Sequence, residues 1–387
     1  MEQITTPRRI CRTASACWAL VTVVASASFA APAAGAQAVL PTARLVKELV
    51  IDGRDEDWAV LNGAKVNARG DIAMGFRQDA QVRVYDAKGK RVAVAGRKGS
   101  GPGEFRFITV RGWIGETVWI HDLELQRHTF VSREGKVLRS EPMETTRPAP
   151  LSSAGRLVSV VGPITPHARR ADGAMFAIAQ VARAGSEKQG RSSIVSISPT
   201  GSVTFVAAMD DVRSSPWEMQ FSPWPVVAFS SDGLAAAQVR VNNMVREGGT
   251  YTVTRFAANG DTLVSRTFPY RSIPMSARYR DSVLARGVGF DGVKAAPASR
   301  IPPVLVPVSG MTLGPDGQAF ITLRDTESGH VVRILNVQGT PIAQFPVLPQ
   351  SYLMAATSTQ VWLVQADGDG MQSVVRYGIS CSRKPCR

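Results

Sequence analysis

The chain has 387 residues, of which 44% are hydrophobic and 20% charged. That balance belongs to a soluble protein with a large core and excludes a chain disordered over most of its length; the length suits a closed all-β or repeat architecture. The formal charge is +14, and three arginines against one glutamate in the first thirty-six residues contribute +2 of it, leaving +12. The basic residues are mostly scattered arginines, a surface that attracts acidic polymers non-specifically. No nucleic-acid-binding motif accompanies them.

Residues 1–36 follow the three-part plan of a secretory signal peptide. Arg8, Arg9 and Arg12 form the positive end, Trp18 to Ala25 begins the apolar stretch, and Ala34-Gly-Ala36 offers a small-x-small cleavage site. The apolar run is short, diluted by Ser and Thr and broken at Pro32, whereas a spanning helix needs about 20 apolar residues. A periplasmic or secreted protein with no transmembrane segment after cleavage is expected. The Arg8-Arg9 pair leaves Sec and twin-arginine export both open. Cys11 and Cys17 fall in this leader, so only Cys381 and Cys386 remain in the expected mature chain. In an exported protein these two are candidates for a small disulfide loop that pins the tail, residues 381–387.

From residue 37 to 380 a rhythm recurs. A polar turn with Gly leads into an apolar strand at Asn67–Phe76, Ser230–Val239 and Gly314–Leu323, and in shorter form before Arg156, Thr117 and Gln360. A hairpin follows most of these, with its Gly at 89, 135, 201, 260 and 339, where a tight turn needs positive φ. Small antiparallel sheets cannot hide both faces alone, and radial packing buries them. The expected fold is therefore all-β: a six-bladed β-propeller closed by an N-terminal strand, Arg44–Ile51, which supplies the outer strand missing from the last repeat. Residues 161–191 leave a seventh blade open. Residues 272–309 break the β pattern. Met275, Tyr279 and Val283 stand at helical spacing between Pro274 and Gly287, which predicts one short helical insertion followed by a Pro-rich loop.

The run Gly96-Arg-Lys-Gly-Ser-Gly-Pro-Gly-Glu-Phe105 resembles the blade boundary of NHL-type six-bladed β-propellers. The resemblance implies a propeller used mostly for binding, with a minority of enzymes, and carries no catalytic residue to this chain. The run lacks a Gly-Lys-Ser/Thr ending and a following helix, so a tight inter-blade loop is the reading, not a phosphate cradle.

No Gly-x-Ser-x-Gly, His-Glu-x-x-His or Cys-x-x-Cys motif occurs. His121 and Asp122 end one repeat strand, and aligning the repeats puts Gln238 and Arg240, Arg324 and Asp325, and Gln365 and Asp367 at equivalent places. If those strands line the channel, these eight residues ring one mouth of it as a binding site. Asp367-Gly-Asp369-Gly reads as a turn and not a calcium loop. Trp217, Phe221 and Trp224 form an aromatic, Pro-rich connection, either loop packing or a docking platform. The functional expectation is a monomeric, non-catalytic binding or scaffold propeller for a protein, peptide or polysaccharide at the cell envelope, with no cofactor. The alternative is a metal-assisted hydrolase or lyase at the channel mouth.

Overall fold

The computed structural model describes residues 40–58, 60–143, 150–151, 158–183, 190–209, 226–285, 301–348 and 350–381. The leader, the Trp217–Trp224 segment, residues 296–300 of the Pro-rich loop and Cys386 lie outside these residues, as does the side chain of Cys381.

Among the described residues the chain is a six-bladed β-propeller with one short helix. Blade one is β2 (Leu61–Val66), β3 (Ile72–Phe76), β4 (Gln81–Tyr85) and β5 (Arg91–Ala95), paired in that order. Blade two is β6 (Ile108–Ile114), β7 (Thr117–Asp122), β8 (Arg127–Ser132) and β9 (Val137–Pro142). Blade three has β11 (Val158–Arg169), β12 (Met175–Arg183), β13 (Arg191–Ile197) and β14 (Val203–Ala208), with the two-residue β10 (Pro150–Leu151) added beside β11. Blade four is β15 (Val226–Phe229), β16 (Ala235–Val241), β17 (Gly249–Ala257) and β18 (Thr262–Tyr270). Blade five is β19 (Val308–Leu313), β20 (Ala319–Arg324), β21 (His330–Leu335) and β22 (Pro341–Val347). The sixth sheet joins β23 (Ser351–Ala356), β24 (Gln360–Ala366) and β25 (Gln372–Cys381) to β1 (Ala43–Asp52), which runs antiparallel to β25 from Ala43↔Cys381 to Asp52↔Ser373. Residues 161–191 thus belong to blade three, and the seventh blade does not exist among the described strands.

Two kinds of turn set the repeat. Between the third and fourth strands of five blades, Gly89, Gly135, Gly201, Gly260 and Gly339 adopt φ between 76° and 89°, where an L side chain is strained. Between the first and second strands, Gly70, Gly115, Gly173, Gly233 and Gly317 are also at positive φ, between 59° and 93°. In blade three that glycine is Gly173, not the Gly155 that the repeat alignment selects.

The core lies between blades. Ala73, Val82 and Val84 of blade one pack with Val110, Ile120 and Val131 of blade two, and Phe320 and Phe345 of blade five pack with Val361 and Leu363 of blade six. The second strands are buried on both faces, so β3 has no exposed residue at all, and a continuous apolar run replaces the alternation of a half-buried strand.

Phe105 of the glycine-rich run is fully buried. Its backbone N–H donates to the Arg97 carbonyl (2.8 Å) and its carbonyl accepts from Gly99 (3.1 Å). The Glu104 carboxylate collects Gly101 N–H (2.8 Å), Ser100 N–H (3.0 Å) and Arg97 Nε (2.9 Å). The run is a loop wrapped around its own carboxylate, joining blade one to blade two.

Helix α1 (Ala277–Ala285) starts after Ser276, whose Oγ accepts from Tyr279 N–H at 3.0 Å. That is an N-cap, and it starts the helix three residues later than Pro274. Pro274 instead forms a bridge with Val304.

Candidate functional site: the central channel

The first strand of each sheet, not the second, lines the axis. β2, β6, β11, β15, β19 and β23 all contribute to one cavity of about 440 Å³, and first strands of neighbouring blades lie against one another. The repeat alignment took β3, β7, β16, β20 and β24 as the inner strands; they are one layer out.

That shift decides where the eight sequence-selected residues fall, and none of them lines the cavity. They end second strands at the face opposite the turns between first and second strands. Asp122 is buried and accepts from the N–H groups of Arg106, Phe107, Glu124 and Leu125, which makes it the organiser of its own turn. Gln238 is buried in β16, while Arg240 beside it is exposed. Arg324 donates to the carbonyls of Val306 and Glu327, and Asp325 is exposed. Gln365 accepts from Tyr377 Oη at 3.3 Å. Asp367 accepts Asp369 and Met371 N–H groups and, with Asp369, pairs with Arg54 at 2.6 Å, so the Asp367–Gly370 sequence is a turn clamped by an arginine. His121 alone touches the channel apparatus, from behind.

Bulges aim the lining residues. β6 slips between Val110 and Gly112, leaving Arg111 as the extra residue; β11 slips between Pro166 and Ala168, leaving His167; β23 slips between Leu353 and Ala355, leaving Met354. An extra residue at a bulge escapes the two-residue alternation and re-aims its side chain, and all three line the cavity. Lys65, on β2, lines it too. β2 and β6 are fastened side by side, because Trp113 Nε1 donates to the Lys65 carbonyl (2.9 Å) and Asn62 Nδ2 to the Ile108 carbonyl (2.8 Å).

The electrostatics are one-signed. Lys65 meets the solvent of the channel yet is enclosed by protein; enclosure first, then the charge of Arg111, lowers its pKa. Enclosure also lowers that of Arg111. No carboxylate of the described residues lies within ion-pair distance of either. Arg169, also on the wall, is already paired with Glu141 at 3.0 Å, and Glu141 is shared with Arg139 at 2.8 Å.

Behind the wall stands a chain of neutral rings. Arg111 Nε donates to His121 Nδ1 at 3.2 Å, so the His121 proton sits on Nε2, which is buried without a partner. His121 and His128 meet edge to face with centroids 5.1 Å apart, and Trp119 Nε1 donates to His128 Nδ1 at 3.2 Å. Burial pushes both histidines down to about 4, helped at His121 by Arg111 and at His128 by Arg169. His167 stacks on Phe229 at 5.0 Å and is pushed down to about 3 by burial and then by Arg111 and Lys65. All three are uncharged at neutral pH, and Lys65 and Arg111 are the basic groups of the lining with no ion-pair partner among the described residues.

Nothing in the repeat pattern marks Lys65 or His167. The one available signal was Arg111 and Gly112 interrupting the apolar positions just before the Gly115 turn.

No family model matches the chain, and no curated protein matches it. Among solved structures it is similar to a member of the DUF4221 family from Bacteroides vulgatus, at 8% identity and a TM-score of 0.48, covering 89% of this chain and 99% of that one. It is also similar to a streptogramin B lyase (11%, 0.39, 88% and 97%). A third is the PQQ-bound aldose sugar dehydrogenase from Streptomyces coelicolor (12%, 0.39, 88% and 99%). The six sheets of the chain itself, not these distant likenesses, establish the fold.

Proposed function

We propose that this chain is an extracytoplasmic binding propeller whose ligand presents an anionic group to the central channel. One observation carries the reading: Lys65, exposed to the channel, and half-buried Arg111 stand on adjacent inner strands, with no carboxylate of the described residues in ion-pair reach. Keeping two like charges together in a partly dehydrated channel costs stability, and a bound anion offsets that cost through charge-assisted hydrogen bonds. His121, accepting from Arg111, acts as a positioning residue that fixes the guanidinium. A cavity of this size falls within the range of small-ligand sites, about 300–1,000 Å³. The leader motif supports export, and an envelope peptide or polysaccharide would present such a group as a carboxylate. No cofactor enters this reading.

Thermal unfolding at constant ionic strength tests it. Sodium acetate and sodium sulfate, against chloride as the control, are expected to raise the midpoint saturably, by up to about 2.7 kcal/mol of stabilisation at a hundred times Kd. Lys65→Met and Arg111→Met should abolish the shift. An equal shift in the Lys65→Met/Arg111→Met double variant, or no saturable shift in the wild type, sinks the reading.

A further inference from the structure

The channel wall is divided. Its charged residues come from blades one to three: Lys65, Arg111 and the paired Arg169. The facing half, from blades four to six, contributes Phe229, Met311, Leu313, Tyr352, Leu353 and Met354 and no charged side chain. Met311, Met354 and Phe229 are only partly buried, so apolar surface is left open to the cavity. The bulge in β23 is what presents Met354 there. Evolution of a purely hydrophilic passage has no use for a thioether re-aimed toward the axis, because unbranched, polarisable Met serves to fit irregular apolar surfaces. Trp362 adds a second observation. It is 1% exposed, borders the cavity, and its indole N–H has no hydrogen-bond partner. A buried donor left unpaired costs free energy.

We infer that the ligand is a small amphipathic carboxylate, its anionic head held by Lys65 and Arg111 and its apolar body lying on Phe229, Met311 and Met354. This rests on the anion reading above and narrows it, favouring an acyl, aromatic or apolar amino-acid carboxylate over a sugar acid. Apolar body and charged head rest on different side chains, so each half of the ligand is separately testable.

Calorimetric titration of the purified protein with sodium octanoate, acetate, glucuronate and 1-octanol tests it. Octanoate is expected to bind at least tenfold more tightly than acetate or glucuronate, because its methylene groups leave water for the apolar wall. Met354→Gln should weaken octanoate about tenfold while leaving acetate unchanged, and Lys65→Met should weaken both. Octanoate and glucuronate binding alike would overturn the amphipathic inference while the anion reading stands. Octanol binding as tightly as octanoate, with Lys65→Met having no effect, would overturn both, as would no binding of any probe.

Discussion

Lowering the pH from 7 to 5 should weaken this fold through its buried histidines. An imidazole in the unfolded chain titrates near 6.5, whereas His121 and His128 are held down to about 4. A depressed folded-state pKa means that the unfolded chain binds the proton first. The stabilising contribution is complete above pH 6.5 and is lost as pH falls toward 4. The full gap is worth about 3 kcal/mol per histidine, and about 2 kcal/mol of that is gone by pH 5. The two rings touch, and both are nearly or fully inaccessible to solvent. Charging the second beside a charged first is harder still. His167, held to about 3, adds to the same slope. The carboxylates held below their usual range, Asp71, Glu104, Glu141, Glu327 and Asp367, contribute by the same sign rule only below about pH 4.5, so the interval between pH 6.5 and 5 isolates the histidines. Urea unfolding at pH 7, 6 and 5 measures the effect. His128→Gln should lie below the wild type at pH 7 and show a shallower decline. A wild-type loss under about 1 kcal/mol across that range, or an unchanged slope in His128→Gln, refutes the assignment of neutral buried rings.

Asp71 rivets blade one to blade two: 4% exposed, it accepts Arg133 Nε at 3.0 Å, Arg133 Nη2 at 3.2 Å and Asn67 Nδ2 at 3.1 Å. Asp71→Ala should cost about 3 kcal/mol in urea unfolding at pH 7, with Asp71→Asn milder. Gly96 has φ 94°, and a Cβ there would collide with the Phe105 ring and the Ala80 carbonyl; Gly96→Ala should cost about 2–4 kcal/mol by the same assay. Lys65→Met, which removes one of two unpaired cations, should raise the thermal midpoint by about 1–3 °C while weakening anion binding, the trade expected where a site is strained for function.

Fold and site were legible to different degrees for a physical reason. A glycine at positive φ leaves an unmistakable mark, so Gly89, Gly135, Gly201, Gly260 and Gly339 marked five hairpins in the amino-acid sequence. The glycine-rich loop ending at Phe105 was equally readable, since its meaning is local. Which strand faces the axis is not local. β3, β7 and β24 look like lining because they are apolar and follow the marked turn, yet apolarity is what a strand covered on both faces requires. All the true lining strands except β15 carry bulges, and a bulge erases the alternation by which a strand's faces are told apart. Arg111, His167 and Met354 are therefore least visible where they matter most. In blade three the long β11, slipping twice against β12, hid the register altogether and drew the repeat to Gly155 instead of Gly173.

The pairing of β1 with β25 has a consequence for biosynthesis. Ala43 and Cys381 are partners although far apart in the chain, so β1 leaves the ribosome long before its neighbour β25 does. Until then its N–H and C=O groups must be kept solvated or shielded, and such distant contacts form slowly. A polypeptide built this way cannot complete its sixth sheet until β25 has been made, however early the other five are finished.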